Sequence, residues 1–213
     1  MQYPSVAVKV WGDFACFTRP EQKIERVSYE VPTPSAARGI LDAIFFHKPM
    51  QWRVQEIAVL KPIRHFSILR NEVKSRMSER SAGLSITDDR SQRHTLGLRN
   101  VAYVIRADVW LPPGAVDQNG DPVTEEKYRA QFRRRVTRGQ CFHRPYLGCR
   151  EFAAQFGDVD ETETPIAVTD TLGRMLFDIR FGAEENTPLF FDAKLEDGVL
   201  RVPQEHYERR AGA

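Results

Sequence analysis

The clearest pattern of apolar and polar positions lies in Ser28–Phe46, where an extended segment leads into a helix. The residue before each of its two prolines is pushed to extended geometry. Ser35 then follows as the predicted N-cap. Apolar residues recur three and four positions apart after it, and this spacing predicts a helix with one face buried on a sheet.

Strands and a second helix are predicted in the segments on both sides of this helix. Alternating residues predict extended segments at Val6–Trp11, Arg26–Val31, Trp52–Leu60 (with a bulge), Ile63–Asn71 and Arg90–Trp110. Tyr128, Phe132 and Val136, spaced by four, predict a helix over Glu125–Thr137. Cys141–Phe156 is predicted to return as a strand. The order β-α-β-β-α-β is the ferredoxin-like arrangement.

The C-terminal part of the chain contains only short, turn-separated apolar segments. These are Ile166–Thr169, Leu172–Phe181, Leu189–Leu195 and Val199–Val202. They predict a small antiparallel sheet. The fold class is therefore α+β, with a ferredoxin-like domain at 1–157, a small antiparallel β subdomain at 158–204 and a polar, frayed tail at 205–213. Glu72–Asp89 is polar and long, which predicts a mobile loop or the tip of a hairpin.

Composition narrows the class of protein. At 213 residues the chain fits one large domain or two small ones. No apolar run approaches the roughly 18 residues of a membrane span, and the N-terminus lacks a signal-peptide pattern. The three cysteines are an odd number without a CxxC spacing. We therefore expect a cytoplasmic protein with reduced, mostly buried thiols and no membrane partner.

The distribution of charge is more informative than the net charge of +2. Basic residues, mainly arginine, concentrate in Arg64–Arg99 and Lys127–Arg150, whereas acidic residues collect in Asp158–Glu163. Separate basic and acidic zones indicate a face that binds a polyanion. The predominance of arginine favours contacts to phosphate. The alternative is a set of solvated faces without a ligand.

Two histidines are candidates for chemistry. The chain has no phosphate-binding loop, nucleophile elbow or zinc-ligand spacing. His94 follows basic residues at the start of a hydrophobic strand, and His47 follows the first helix. In metal-free RNA cleavage a base takes the 2′-hydroxyl proton and a cation stabilises the phosphorane, roles that suit histidine and arginine. The alternatives are a surface histidine at His94 and a histidine favoured by the helix dipole at His47.

Five segments together resemble a known family. They are Trp11–Glu21, Glu25–Ile44, Leu98–Ile105, Phe132–Phe152 and Thr187–Leu200. They are similar, in order and over nearly the whole chain, to the type I-C branch of the fifth Cas family of CRISPR proteins. The resemblance implies a RAMP-superfamily fold with an RRM-like N-terminal domain and a smaller β domain.

The resemblance also implies an activity. Members of this branch cut precursor CRISPR RNA at the base of the repeat hairpin without metal or cofactor. Cleavage leaves a 2′,3′-cyclic phosphate and a 5′-hydroxyl. The subunit then keeps the 5′ handle within the Cascade complex. We accordingly expect repeat RNA and other type I-C Cascade subunits as partners, and double-stranded DNA as a further one.

The family's catalytic group is a tyrosine at the end of the first helix and a Lys-His pair. These positions correspond to Phe45 and to Arg93-His94. His94 would be general acid or base, Arg93 would stabilise the phosphorane, and Phe45 would orient the nucleotide. Phosphate contacts are expected from Arg38, Arg70, Lys74, Arg76, Arg133, Arg134 and Arg135.

Phe45 lacks the tyrosine hydroxyl, and this favours a second hypothesis, a non-catalytic subunit that only grips the handle. A third hypothesis is a metal-dependent DNA nuclease. We rank it last, since Asp88-Asp89 are the only carboxylates close to His94 in the sequence.

Overall fold

The computed structural model describes residues 5–75, 83, 85, 87, 89–181 and 185–207. Within them the chain forms one nine-stranded sheet with two α-helices packed on it. The elements are β1 (Val6–Ala15), a 3₁₀ turn (Pro20–Gln22), β2 (Arg26–Val27), α1 (Pro34–Ile44), β3 (Gln51–Val59), β4 (His65–Val73), β5 (Arg90–Trp110), α2 (Glu125–Thr137), β6 (Gln155–Gly157), β7 (Asp170–Arg180), β8 (Thr187–Glu196) and β9 (Val199–Arg201).

The long strand β5 is the centre of the sheet. Its second half lies between β1 and β3, and its first half pairs with β4 and β2. The main path of the sheet runs β6-β1-β5-β3-β9-β8-β7, and every pair is antiparallel except β2 with β5. The predicted α+β class with a mainly antiparallel sheet is confirmed. The C-terminal strands join this sheet through β9, where Leu200 pairs with Ile57.

Helix α1 begins earlier than predicted. Thr33, not Ser35, is the N-cap, and its hydroxyl accepts the N–H of Ala36 at 3.1 Å. Pro34 occupies the first helical position, where its fixed φ and missing N–H are tolerated. The helix ends at Ile44 because Phe45 is extended, with φ −151°. The buried face predicted from the apolar spacing is present.

Helix α2 has the predicted bounds and the predicted buried stripe of Tyr128, Phe132 and Val136. The hydroxyl of Thr124 caps it by accepting the N–H of Lys127 at 3.2 Å. Burial of Arg129 was not predicted. Its guanidinium pairs with Asp108 of β5, with Nε 2.7 Å from the carboxylate, and with Glu125 of its own helix at 3.1 Å. This pair fixes α2 against the sheet.

The prediction of a strand over Cys141–Phe156 is wrong, because only β6 at its end is a strand. The backbone N–H groups of Phe142 and His143 both donate to the carbonyl of Ala43, at 2.8 and 3.1 Å. The segment therefore folds back against the end of α1 instead of pairing with a strand. The predicted strand at Ile166–Thr169 is also absent, and Ile166 N donates to Val59 O of β3 at 2.9 Å.

The beginning of the predicted frayed tail is ordered. The bulge predicted in β3 lies between Val54 and Glu56. Val54, which borders the bulge and pairs with Ala107 of β5, also receives hydrogen-bond partners for its backbone from Tyr207 and Gln204. Val54 N donates to the Tyr207 hydroxyl at 2.8 Å, and Gln204 Nε2 donates to Val54 O at 3.0 Å. Tyr207 is buried, so the tail prediction is wrong up to this residue, and 208–213 lie outside the described residues.

Neither of the two α-helices has the length and apolarity that crossing a membrane requires, in the part of the chain that is described.

Candidate functional site

The predicted catalytic pair Arg93-His94 lies in the β4–β5 hairpin. His94 is exposed on β5 and pairs with Leu69 of β4. Its backbone N–H donates to the carboxylate of Glu25, and Arg93 Nη1 is 3.9 Å from the same carboxylate. The cation that was expected to stabilise a phosphorane thus already has an acidic neighbour.

Arginines next to this pair are also engaged with carboxylates. Arg70 Nη2 is 2.9 Å from Glu72, and Arg70 Nε donates to the Thr95 hydroxyl at 2.6 Å. Arg26 donates to Glu151 at 2.7 Å. The basic zone predicted from Arg64–Arg99 is therefore partly neutralised, at Arg70 by the nearby Glu72 and at Arg93 by Glu25, which is distant in sequence.

Two cysteines lie beside Arg26. Cys149 Sγ is 3.5 Å from Arg26 Nη1 and donates to the carbonyl of Cys16 at 3.5 Å. A hydrogen bond from Cys16 and the charge of Arg26 lower the pKa of the Cys149 thiol to about 6. Only Cys16 is buried, whereas Cys149 is half-buried and Cys141 exposed, so the prediction of mostly buried thiols is wrong.

A second group of candidate residues meets at the C-terminal end of α1. The imidazole of His47 stacks on the ring of Tyr128, with centroids 5.0 Å apart and planes at 18°. Phe45 contacts both rings, with centroid distances of 5.0 Å to His47 and 5.7 Å to Tyr128. Arg135 of α2 lies over Phe45 at 5.5 Å and donates to the carbonyl of Ile44 at 3.2 Å.

An open cavity of about 390 Å³ adjoins this cluster. Its lining is basic and polar, and consists of Phe45, His47, Gln131, Arg134, Arg135, Arg138 and Gln140. Three guanidinium groups and one imidazole around a single cavity match the needs of a phosphodiester, since arginine presents several fixed donors to phosphate oxygens. Sequence spacing predicted Arg134 and Arg135 as phosphate contacts but did not place His47 beside them.

The surroundings of His47 favour its neutral form. Partial burial and then the positive charge of Arg135 lower the pKa of His47 below its ordinary 6.5, and Lys127 acts in the same direction. Asp117 opposes them. A neutral imidazole can accept a proton near pH 7.

Phe45 itself is only 2% exposed. Its ring is covered by His47, Tyr128 and Arg135, so little of it is available to orient a nucleotide, the role predicted for it, by stacking on a base. The neighbouring Phe46 is 50% exposed instead.

The structure does not bring His94 and Phe45 into one site. Phe45 O accepts the indole N–H of Trp52 at 3.2 Å, and Trp52 pairs with Val109 near the end of β5. His94 lies near the beginning of the same strand. At about 3.3 Å per residue, the strand between His94 and Val109 has a contour length of at most roughly 50 Å, and the positive φ of Asn100 (52°) interrupts its regular extended backbone. The residues proposed as one catalytic group thus lie at opposite ends of β5.

The remaining predicted RNA contacts have different environments. Arg38 forms a two-point ion pair with the buried Asp178 of β7, with one distance of 3.0 Å. Lys74 and Arg133 are exposed, the first beside β4 and the second on α2. Arg76 lies outside the described residues.

No group of three or more His, Cys, Asp or Glu side chains with metal-binding geometry occurs among the described residues. Asp89 accepts hydrogen bonds from the backbone N–H and hydroxyl of Ser75, at 2.7 and 3.0 Å. Asp88, the other carboxylate considered for metal binding, is outside the described residues.

Comparison with known families gives a match over residues 5–203 to the family described as CRISPR-associated protein (Cas_Cas5). The chain belongs to the Cas5 family. Two relatives carry the name CRISPR pre-crRNA endoribonuclease Cas5d. The one from Thermus thermophilus is 45% identical, covering 94% of this chain and 92% of its own. The one from Mannheimia succiniciproducens is 43% identical, with coverage of 93% and 94%.

A solved structure titled as a CRISPR-associated protein has the same fold as this Cas5 chain. It superposes with a TM-score of 0.68 at 25% identity, and the alignment covers 96% of both chains. The family resemblance predicted from the sequence is confirmed over nearly the whole chain by the family match and the two relatives.

The sequence of this Cas5 chain did not point to three residues that line the cavity at the end of α1, Gln131, Arg138 and Gln140, or to the stacking of Tyr128 on His47. Tyr128 was assigned to the buried stripe of α2, where it lies, but its contact with His47 depends on how α1 packs on α2. The signal available was the run of arginines in the last turns of α2, which places several cations on one helix end.

Proposed function

We propose that this Cas5 chain is an endoribonuclease that cleaves precursor CRISPR RNA at the base of the repeat hairpin. The reaction uses the 2′-hydroxyl as nucleophile, requires no metal, and leaves a 2′,3′-cyclic phosphate and a 5′-hydroxyl. The observation that carries the proposal is the 45% identity, over 94% of the chain, to a protein named as a pre-crRNA endoribonuclease. The cavity lined by Arg134, Arg135 and Arg138 supports it as a site for a phosphodiester.

The proposal includes the setting in which the protein acts. After cleavage the subunit stays on the 5′ handle as a member of a type I-C Cascade complex in the cytoplasm, and double-stranded DNA is a later partner of that complex. Phosphate contacts are proposed for Arg133, Arg134 and Arg135 of α2 and for Lys74. Arg133, Arg134 and Lys74 are exposed, and the half-buried Arg135 lines the cavity, so these side chains can reach an RNA backbone. RNA affinity should then fall steeply with salt.

The fold proposal is a ferredoxin-like unit followed by a smaller β unit. The strand order β6-β1-β5-β3, with α1 and α2 as crossovers, supports the first. The strands β7–β9, which reach β3 only through β9, support the second, and the boundary is proposed near residue 157.

Two positions compete for the proton-transfer role. The family resemblance proposes His94 with Arg93, in the β4–β5 hairpin. The geometry offers His47, in the cavity at the end of α1. His94 lies near the beginning of β5, whereas the cavity of His47 lies close to its other end, so the two positions are treated as alternatives. A His94→Ala variant that cleaves repeat RNA as fast as the wild type would remove His94 from the reaction.

The second candidate function is a non-catalytic subunit that binds the handle. It is favoured by Phe45, which replaces the tyrosine of the family pattern and is buried. The two functions are separated by incubating the purified protein with its cognate repeat hairpin in EDTA. A single cut with a cyclic phosphate end supports the endoribonuclease, whereas tight binding of intact RNA supports the non-catalytic subunit. The third candidate, DNA cleavage that requires magnesium or manganese, is tested by adding either metal with a DNA substrate.

A further inference from the structure

His47 lies between two neighbouring cavities of different character. The first is the basic cavity of about 390 Å³ that Arg134, Arg135 and Arg138 line. The second has a volume of about 530 Å³, and its lining includes the exposed Phe46 together with Val116. His47 contributes to the lining of both. A nucleic-acid strand that crosses this point would place a phosphate on the basic side and a base on the aromatic side.

The imidazole is held in place by aromatic packing. It stacks on Tyr128, which is 1% exposed, and contacts Phe45 at its edge. The Tyr128 hydroxyl is buried and has no hydrogen-bond partner within the described part of the chain. A ring fixed between two packed aromatic residues does not have to be ordered when substrate binds, and such pre-organisation favours catalysis.

The charged groups around His47 come from two elements. Arg135 and Lys127 of α2 disfavour its protonation, and Asp117 of the β5–α2 connection favours it. Asp117 is itself occupied, since it accepts the backbone N–H groups of Asn119 and Asp121 at 2.9 and 3.1 Å. The balance leaves a neutral base next to guanidinium groups that can hold an anion.

We propose that His47 is the general base of RNA cleavage in this chain, with Arg134, Arg135 and Arg138 binding the scissile phosphate and Phe46 stacking on an adjacent base. The inference rests on the endoribonuclease function proposed above and places its chemistry at the end of α1. A histidine two residues after Phe45 supplies the proton acceptor that phenylalanine cannot supply.

The reaction is balanced without a further reactant. His47 takes the proton of the 2′-hydroxyl as its oxygen forms a bond to phosphorus. The guanidinium groups stabilise the charge on the phosphorane. The bond from phosphorus to the 5′ oxygen breaks, water gives that oxygen its proton, and the hydroxide so formed takes the proton from the imidazolium. The products are the cyclic phosphate and the 5′-hydroxyl.

The test is single-turnover cleavage of the cognate repeat hairpin in EDTA, from pH 5 to pH 8, with saturating protein. Wild type, His47→Gln and His94→Gln are compared, and His65→Gln, an exposed histidine at the start of β4, is the matched control. The wild-type rate should rise with pH through the pKa of His47, below 6.5, and then level off. His47→Gln should lower the rate by roughly 10²–10⁴ and abolish the inflection, as expected for loss of a proton-transfer residue. His65→Gln should stay within about threefold of wild type, and a loss of rate in His94→Gln with no loss in His47→Gln would contradict the proposal.

Each other outcome contradicts a defined part of the proposal. If wild type cuts and His47→Gln cuts equally fast, the role of His47 is wrong while the endoribonuclease stands. If His47→Gln is slower but keeps the inflection, His47 only supports the structure, and the proposal fails. If wild type binds the hairpin but never cuts it, the endoribonuclease and the role of His47 both fail. Thermal melts of each variant check folding, and His47→Asn replaces His47→Gln if the latter is unstable.

Discussion

Replacing Arg38 with methionine should cost this protein a large part of its stability. Arg38 lies on α1 and forms its two-point ion pair with Asp178 of β7, which is 3% exposed. The same carboxylate accepts the N–H of Ile179 at 2.9 Å. Arg38→Met keeps most of the aliphatic packing but leaves a buried carboxylate without its cation. The strand β7 and the first helix would lose a link that spans most of the sequence.

The magnitude follows from the burial of the two partners. Removing one partner of a buried ion pair costs about 3–5 kcal/mol, because the remaining charge is desolvated and uncompensated. Since the Arg38 side chain is 22% exposed, water can reach part of the site, and we expect the lower end of this range. For a chain of this size, 3 kcal/mol corresponds to a fall in Tm of roughly 6–12 °C.

The assay is urea denaturation followed by circular dichroism, with Arg201→Met as the control. Arg201 pairs with Glu196 at 3.1 Å, but both side chains are largely exposed, so this variant should lose little or no stability. If Arg38→Met loses no more than Arg201→Met, the argument from burial is wrong. Arg38 was also predicted to contact RNA. The affinity of the Arg38→Met protein for the repeat hairpin, compared with that of Arg138→Met, tests this prediction, because Arg138 lines the basic cavity.

Three further predictions concern local geometry. Gly198→Ala should destabilise the fold by about 1–3 kcal/mol more than Gly173→Ala, as measured by urea titration. Both glycines have positive φ, but of the two only a Cβ at position 198 would meet a backbone oxygen, that of Ile166 at 2.3 Å. Equal losses would contradict this. Tyr207→Phe should lower the free energy of unfolding by about 1–3 kcal/mol, because a backbone N–H at the bulge of β3 loses its acceptor, and a loss below 0.5 kcal/mol would refute it. The rate at which Cys149 reacts with iodoacetamide should rise with pH with a midpoint near pH 6, since a hydrogen bond with Cys16 is the main cause of its lowered pKa. A midpoint above pH 8, measured by mass-spectrometric mapping of the modified cysteine, would contradict this prediction.

The regular elements could be predicted from sequence because their signals are local. The bounds of β5 and α2 were predicted as they are found, since both are long and strongly patterned. The N-cap of α1 was misplaced by two residues because Ser35 and Thr33 are both good caps. The position of Pro34, which favours the first helical residue, decides between them.

Segments held by distant partners could not be predicted in this way. Cys141–Phe156 has enough apolar residues for a strand, but its backbone bonds to Ala43 and to the end of β1 instead. The polar composition near Gln204 suggested a free tail, yet the bulge in β3 provides partners for it. Such pairings join residues far apart in the chain, and no local pattern encodes them.

The candidate site was predicted in parts. The arginines at the end of α2 and the importance of the end of α1 were both inferred from sequence, but their meeting around His47 depends on packing. The grouping of His94 with Phe45 came from the family pattern alone. The register of β5 with its neighbours shows how far apart they lie in this chain.

The central claim is that this Cas5 chain cuts RNA through the 2′-hydroxyl without metal. The most direct measurement compares two cognate repeat hairpins in EDTA, one entirely ribose and one with a single 2′-deoxy substitution at the nucleotide before the cut. The account predicts that the all-ribose hairpin is cut once, to a 2′,3′-cyclic phosphate and a 5′-hydroxyl, while the substituted hairpin binds equally well and stays intact. Cleavage of both hairpins at the same rate, or of neither, would contradict it.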